Sequence, residues 1–154
     1  MPPRQPISPL EAHLGYWLRY VSNQVSHAFA QKLAARDVTV AEWVFLRELY
    51  DREQAAAPSV LADRLGMTRG AISKLADRLL AKQLIHREEG GIDRRFQALA
   101  LTSAGRDMVP DLASLADLND EEFFGHLEPA AKEAIAVAMK EIVRRQGSRA
   151  MPID

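Results

Sequence analysis

The sequence predicts a mainly α-helical fold carrying one small antiparallel β-hairpin, an α+β chain in which helices dominate. Three observations predict it. Apolar residues recur at spacings of three or four along most of the chain, the period of a helix with one buried face. Residues 84–101, "LIHREEGGIDRRFQALAL", break that period with two short strand-like runs around a glycine-containing loop. Residues that start helices (Thr39, Ser59, Thr68 and Thr102) stand where periodic segments begin, and Gly66 and Gly147 stand where they end.

Composition bounds the chemistry. A chain of 154 residues with 47% hydrophobic and 27% charged residues can hold one core, or one core with an attached helical region. It contains no cysteine, so disulfides, thiolate nucleophiles and thiol redox sensing are excluded. The opening "MPPRQPISPL" has no apolar signal segment, and no run approaches the roughly 18 apolar residues of a membrane span. The expected location is cytoplasmic, with no membrane partner. Net charge is −1, yet residues 64–95 hold eight cations against four anions. Positive charge is therefore concentrated in one segment.

The elements follow in order. Four prolines in the first nine residues make an arm. From Leu10 to Ala35 the stripe Leu14, Leu18, Val21, Val25, Phe29 and Leu33 predicts one long helix. A second, semi-apolar stripe (His13, Tyr16, Trp17, Tyr20, Gln24) gives that helix two faces to cover, one by its own body and one by another subunit. In "TVAEWVFLRELYD", Thr39 and Glu42 have the spacing of a capping box. Pro58 breaks the chain, Ser59 is the expected cap of a short helix to Leu65, and Gly66 suits a tight turn. Thr68 caps a helix to Lys82 that buries Ile72, Leu75, Ala76, Leu79 and Leu80 and exposes Gly70, Ser73, Lys74, Asp77 and Arg78. The strands follow, with Leu99 and Leu101 alternating against alanines, so register is weakly specified. Thr102 opens a further helix, the segment to Gly125 is poorly patterned, and a last helix runs from Pro129.

Two short helices joined by a glycine turn, then two strands with a loop, make a winged helix-turn-helix. Its second helix is suited to a DNA major groove. Gly70 leaves room for close approach, Arg69 and Lys74 can bond phosphate or guanine, Ser73 tolerates base or phosphate, and a helix N-terminus at Thr68 favours phosphate. The loop can carry Arg94 and Arg95 into an adjacent minor groove, with Asp93 orienting an arginine.

The segment "DRRFQALALTSAG" resembles the wing signature of the MarR family of bacterial transcriptional regulators, through Asp93, Arg95, Leu101, Thr102 and Gly105. "LADRLGMTRGAISKLADRLLAKQLIHRE" is similar to that family's reading helix and first wing strand. The resemblance implies a homodimer with interlocked terminal helices on a palindromic duplex operator. It also implies repression, relieved when a small aromatic or anionic compound enters a crevice between the dimer helices and the winged domain. Arg95 matches the minor-groove arginine and Asp93 its partner; Arg94 is outside the signature. On this reading residues 1–36 form the arm and dimerisation helix, 37–105 the DNA-binding domain, and 106–154 the C-terminal dimerisation helices.

The greasy final helix, with Ile135, Ala138, Met139 and Ile142, independently favours a dimer over a monomer. His13, Tyr16, Trp17 and Tyr20 are the candidate effector residues. The four histidines are scattered, so neither metal nor cofactor is expected. Adjacent Glu88 and Glu89 point to opposite strand faces, and no catalytic pattern appears. Two further readings are a winged-helix module for protein contacts and a small-molecule binder that ignores DNA.

Overall fold

A computed structural model of the chain describes residue 1, residues 4–89 and residues 97–147. The expectations for Asp93, Arg94 and Arg95 lie outside the described residues. Helix α1 spans Leu14–Ala34, preceded by a 3-10 turn at Leu10–Ala12. The single helix expected from Leu10 is thus divided. His13 stands between the two in extended backbone (φ −93°, ψ 124°). Its amide donates to the Leu10 carbonyl at 3.2 Å and its carbonyl accepts from the Tyr16 amide, so the short turn closes before α1 begins.

Helix α2 spans Val40–Tyr50 and opens with the predicted capping box. The Glu42 amide donates to Thr39 Oγ1 at 3.1 Å, and the Thr39 amide donates to Glu42 Oε1 at 3.2 Å. Helix α3 spans Pro58–Leu65, with Ala57 in the cap position that Ser59 was expected to fill. Pro58 explains the shift: its fixed φ suits the first helical residue, where no amide is needed, and it places Ser59 inside the first turn. Gly66 ends α3 in the left-handed region (φ 64°). Helix α4 spans Arg69–Ala81 and is capped by Thr68, whose hydroxyl accepts from the Ala71 amide at 3.1 Å. Gln83 takes a positive φ of 59°, letting the Leu84 amide reach back to the Leu79 carbonyl and turn the chain into a strand.

Strands β1 (Ile85–Glu89) and β2 (Gln97–Leu101) pair antiparallel, Ile85 opposite Leu101 and Arg87 opposite Leu99. The register left weak by the sequence is pinned from outside the hairpin. Ala56 and Leu99 exchange both backbone hydrogen bonds, at 2.9 and 2.8 Å.

Helix α5 spans Ser103–Phe124 without interruption, through the segment whose apolar pattern is poor. Val109, Leu112 and Asn119 are buried against the body and hold it as one helix. Pro110 lies within it but is exposed, like Arg106, whose carbonyl loses its usual amide partner. Helix α6 spans Pro129–Gln146 and buries no residue. The core is formed by Leu33, Phe45, Leu46, Leu61, Ile72, Leu79 and Leu112, each fully buried, from α1 to α5.

Candidate nucleic-acid interface

The buried stripe of α4 dictates what its other face presents. With Ile72, Leu75, Ala76 and Leu79 in the core, Thr68, Arg69, Gly70, Ser73 and Lys74 are all exposed. These five predicted residues come together on one surface at the start of the helix. A Cβ at Gly70 would meet nothing within 4 Å, so its own fold does not require glycine there. Gly105 is the opposite case. A Cβ there would collide with the Leu84 carbonyl, where the first turn of α5 packs against the turn between α4 and β1.

Charge counting along the sequence overstates the free positive charge of this region. Arg64 pairs with Glu48 at 3.1 Å, Arg78 and Lys82 with Glu42 at 2.7 and 2.8 Å, and Arg87 lies 3.7 Å from Asp77. Glu42 and Glu48 come from α2, outside the counted segment. The ion pairs among the described residues take up neither Arg69 nor Lys74.

Glu42 is the residue that sequence reasoning placed only as a cap. Its side chain is 0% exposed and receives Arg78, Lys82 and the Thr39 amide. Burial would raise its pKa, but the hydrogen bonds from Lys82, Arg78 and Thr39 outweigh it and hold the carboxyl below its ordinary value. Arg78 also donates to Thr39 Oγ1 at 3.1 Å, so the residue expected on the outer face of α4 is anchored to α2. Three polar groups between helix start and helix end were the available signal; their meeting in space was not.

A second buried polar residue, Asn119, ties α5 to α1. Its amide group donates to the Val25 carbonyl at 3.2 Å and its oxygen accepts from Lys32 at 3.0 Å, while Lys32 also pairs with Glu122. At the other end of α1, Tyr16, Trp17 and Tyr20 form an aromatic cluster, while the His13 ring lies against the Pro9 and Leu10 carbonyls, at 3.1 and 3.3 Å. Tyr16 meets Trp17 edge-on at 5.2 Å and Tyr20 at 6.4 Å. Trp17 and Tyr20 remain about half exposed; the indole N–H donates to the Glu11 carbonyl. Between α5 and α6 lies a cavity of about 410 Å3, floored by Phe124, Leu127, Ile135 and Met139 and rimmed by Asp117, Asp120 and Glu121. No helix among the described residues is long and apolar enough to cross a membrane.

Helix, glycine turn, helix and paired strands in this arrangement define a winged-helix protein, a class in which the second of those helices can enter a DNA major groove. A model of the MarR family matches residues 36–95. Over that winged-helix segment the chain is similar to members of this family, and the relatives it resembles are transcription regulators. The HTH-type transcriptional regulator PrsX of Escherichia coli is 24% identical over 142 residues, covering 91% of this chain and 86% of its own. The fold is similar to that of Bordetella bronchiseptica BpsR, whose DNA binding is regulated by 6-hydroxynicotinic acid. That structure has a TM-score of 0.77 and 25% identity, over 90% of this chain and 97% of BpsR. It is also similar in fold to Staphylococcus aureus MepR in complex with DNA, with a TM-score of 0.76 and 24% identity over 84% of this chain and 96% of that one.

Proposed function

We propose that the chain is a regulator of the MarR family, a homodimeric repressor that reads a palindromic operator in the cytoplasm and is released by a small aromatic or anionic ligand. The observation that carries the DNA reading is the start of α4, where Arg69, Gly70, Ser73 and Lys74 share one exposed face with the Thr68-capped helix N-terminus. Phosphate is drawn to such a terminus. Arg69, Ser73 and Lys74 supply donors to base edges, and Gly70 permits close contact. The proposal also gives Arg94 and Arg95 the adjacent minor groove, with Asp93 orienting an arginine rather than touching DNA.

Homodimerisation is supported by apolar residues that the chain leaves uncovered. Leu14 (87% exposed), Ile142 (57%) and Val143 (61%) lie on the two terminal helices, and Ile135 and Met139, also exposed on α6, line the α5–α6 cavity. On this reading residues 1–36 and 106–154 assemble the dimer and residues 37–105 read DNA. Two reading helices about 34 to 36 Å apart then meet successive major grooves. The ligand reading is supported by BpsR, controlled by an aromatic acid, and by the aromatic cluster at the start of α1. On this proposal Tyr16, Trp17 and Tyr20 supply the apolar wall, and His13 the polar edge, of a ligand crevice completed by the partner subunit.

Titrating a duplex selected from a random pool by the wild-type chain, across a salt series, tests the reading. Log affinity should fall with log salt at about −0.9 per phosphate neutralised, and Arg95→Ala should weaken binding while leaving the melting temperature unchanged. A flat profile excludes DNA binding. Aromatic acids should raise the melting temperature and lower DNA affinity together; stabilisation without any effect on DNA would mark a ligand binder of another kind.

A further inference from the structure

Gly70, Lys74, Arg78 and Lys82 stand four residues apart, one stripe along α4 and its C-cap. At 1.5 Å per residue this stripe runs about 18 Å. Seen from the sequence alone, its three cations are equivalent candidates for DNA phosphate. The structure divides them. Arg78 and Lys82 converge on the two oxygens of one fully buried carboxylate, Glu42, and Lys82 also donates to the Asp37 carbonyl. Lys74, one turn nearer the helix start, is exposed.

We propose that Glu42 is a positioning residue for DNA reading: it withholds Arg78 and Lys82 from phosphate and fixes the roll of α4, leaving Arg69, Ser73 and Lys74 to make that helix's contacts. This rests on the DNA-binding reading above. Glu42 occupies the first turn of α2, where the helix dipole and the Thr39 amide add to the two cations in holding a negative charge. A carboxylate gripped on both oxygens sets the distance between α2 and the second half of α4. Freed, the two cations would attract any phosphate, since such contacts carry no sequence information. Glu42 thereby favours discrimination over adhesion.

Salt dependence separates this role from a merely structural one. Affinities for the selected duplex and for a mixed-sequence duplex are measured across salt for the wild type, Arg78→Gln, Lys74→Gln, Glu42→Gln and the double variant E42Q/R78Q. Lys74→Gln should make the slope shallower by about 0.9, one phosphate contact. Arg78→Gln should leave the slope unchanged, because that charge is already spent on Glu42. Glu42→Gln should steepen the slope by about 0.9 to 1.8 as one or both cations reach DNA. Its preference for the selected duplex should fall about tenfold, the scale of one lost base contact. The double variant should give back the part of the steepening that Arg78 supplied. If Glu42→Gln does not fold, Arg78→Gln decides alone, since its side chain is half exposed. A shallower slope for Arg78→Gln, matching Lys74→Gln, would falsify the inference while leaving DNA binding intact. A wild type without salt dependence removes both.

Discussion

Helices α4 and α6 carry apolar residues at the same helical spacing, yet α4 buries Ile72, Leu75, Ala76 and Leu79 whereas α6 buries nothing. The difference lies in their surroundings. Helix α4 is enclosed by α2, α3 and β1, while α6 makes few close contacts with any other element. Fully burying a side chain such as Leu, Ile or Val contributes roughly 1.5 to 3 kcal/mol, so the winged body has its stabilisation within one chain. The terminal helix has the same resource unspent. If the proposed dimer forms through α6, intrachain stability and assembly are separable, and substitutions in the two regions should have unlike signatures.

The sharpest contrast comes from the body. Phe45→Ala, at a position with 0% exposure, should lower stability by about 3 to 5 kcal/mol, read as a shifted urea midpoint at every protein concentration. A loss below about 1 kcal/mol would show that the body is not the stable unit. Next is Glu42. Its folded pKa is depressed, so its stabilisation is fully present above the ordinary carboxylate range and is lost as pH falls through the folded value. Wild type should exceed Glu42→Gln by about 1 to 3 kcal/mol at neutral pH, and the two should converge in acid. A constant gap would refute the charged role.

Gly70→Ala should stabilise the chain by up to about 1 kcal/mol, because alanine favours a helix and open space surrounds that Cβ. DNA affinity should fall at the same time; a more stable variant with full affinity would remove the close-approach argument. Ile142→Glu should change the stability of the dilute chain by less than about 0.5 kcal/mol, as an exposed substitution does. It should nevertheless abolish dimerisation in sedimentation and the concentration dependence of melting. Full retention of the dimer would place the interface elsewhere.

Local chemistry was legible in the sequence. The Thr39–Glu42 box, the Thr68 and Thr102 caps, and left-handed Gly66 involve residues within a few positions of one another, and each forms as expected. Long-range chemistry was not. Glu42 meets Arg78 across 36 residues and Asn119 meets Val25 across 94, and no short pattern encodes such meetings. The Ala56–Leu99 bridge joins an alanine-rich stretch to a strand with no local mark. The same limit explains α5: its pattern looked poor because its neighbours, rather than its own period, decide which residues are buried. For α4 the buried and exposed faces were legible, and the partition of its cations required coordinates.

Strand β2 ends at Leu101 and α5 begins at Ser103, with Thr102 alone between them. Thr102 is fastened by its amide to the Leu84 carbonyl and by its hydroxyl to the Gln83 carbonyl. The rotational phase of α5 is therefore inherited from the hairpin. One inserted residue would turn the helix by about 100° and carry Val109, Leu112 and Asn119 away from their seats together. A junction without slack ties the hairpin to the first turns of α5, so neither can be re-registered without displacing the other.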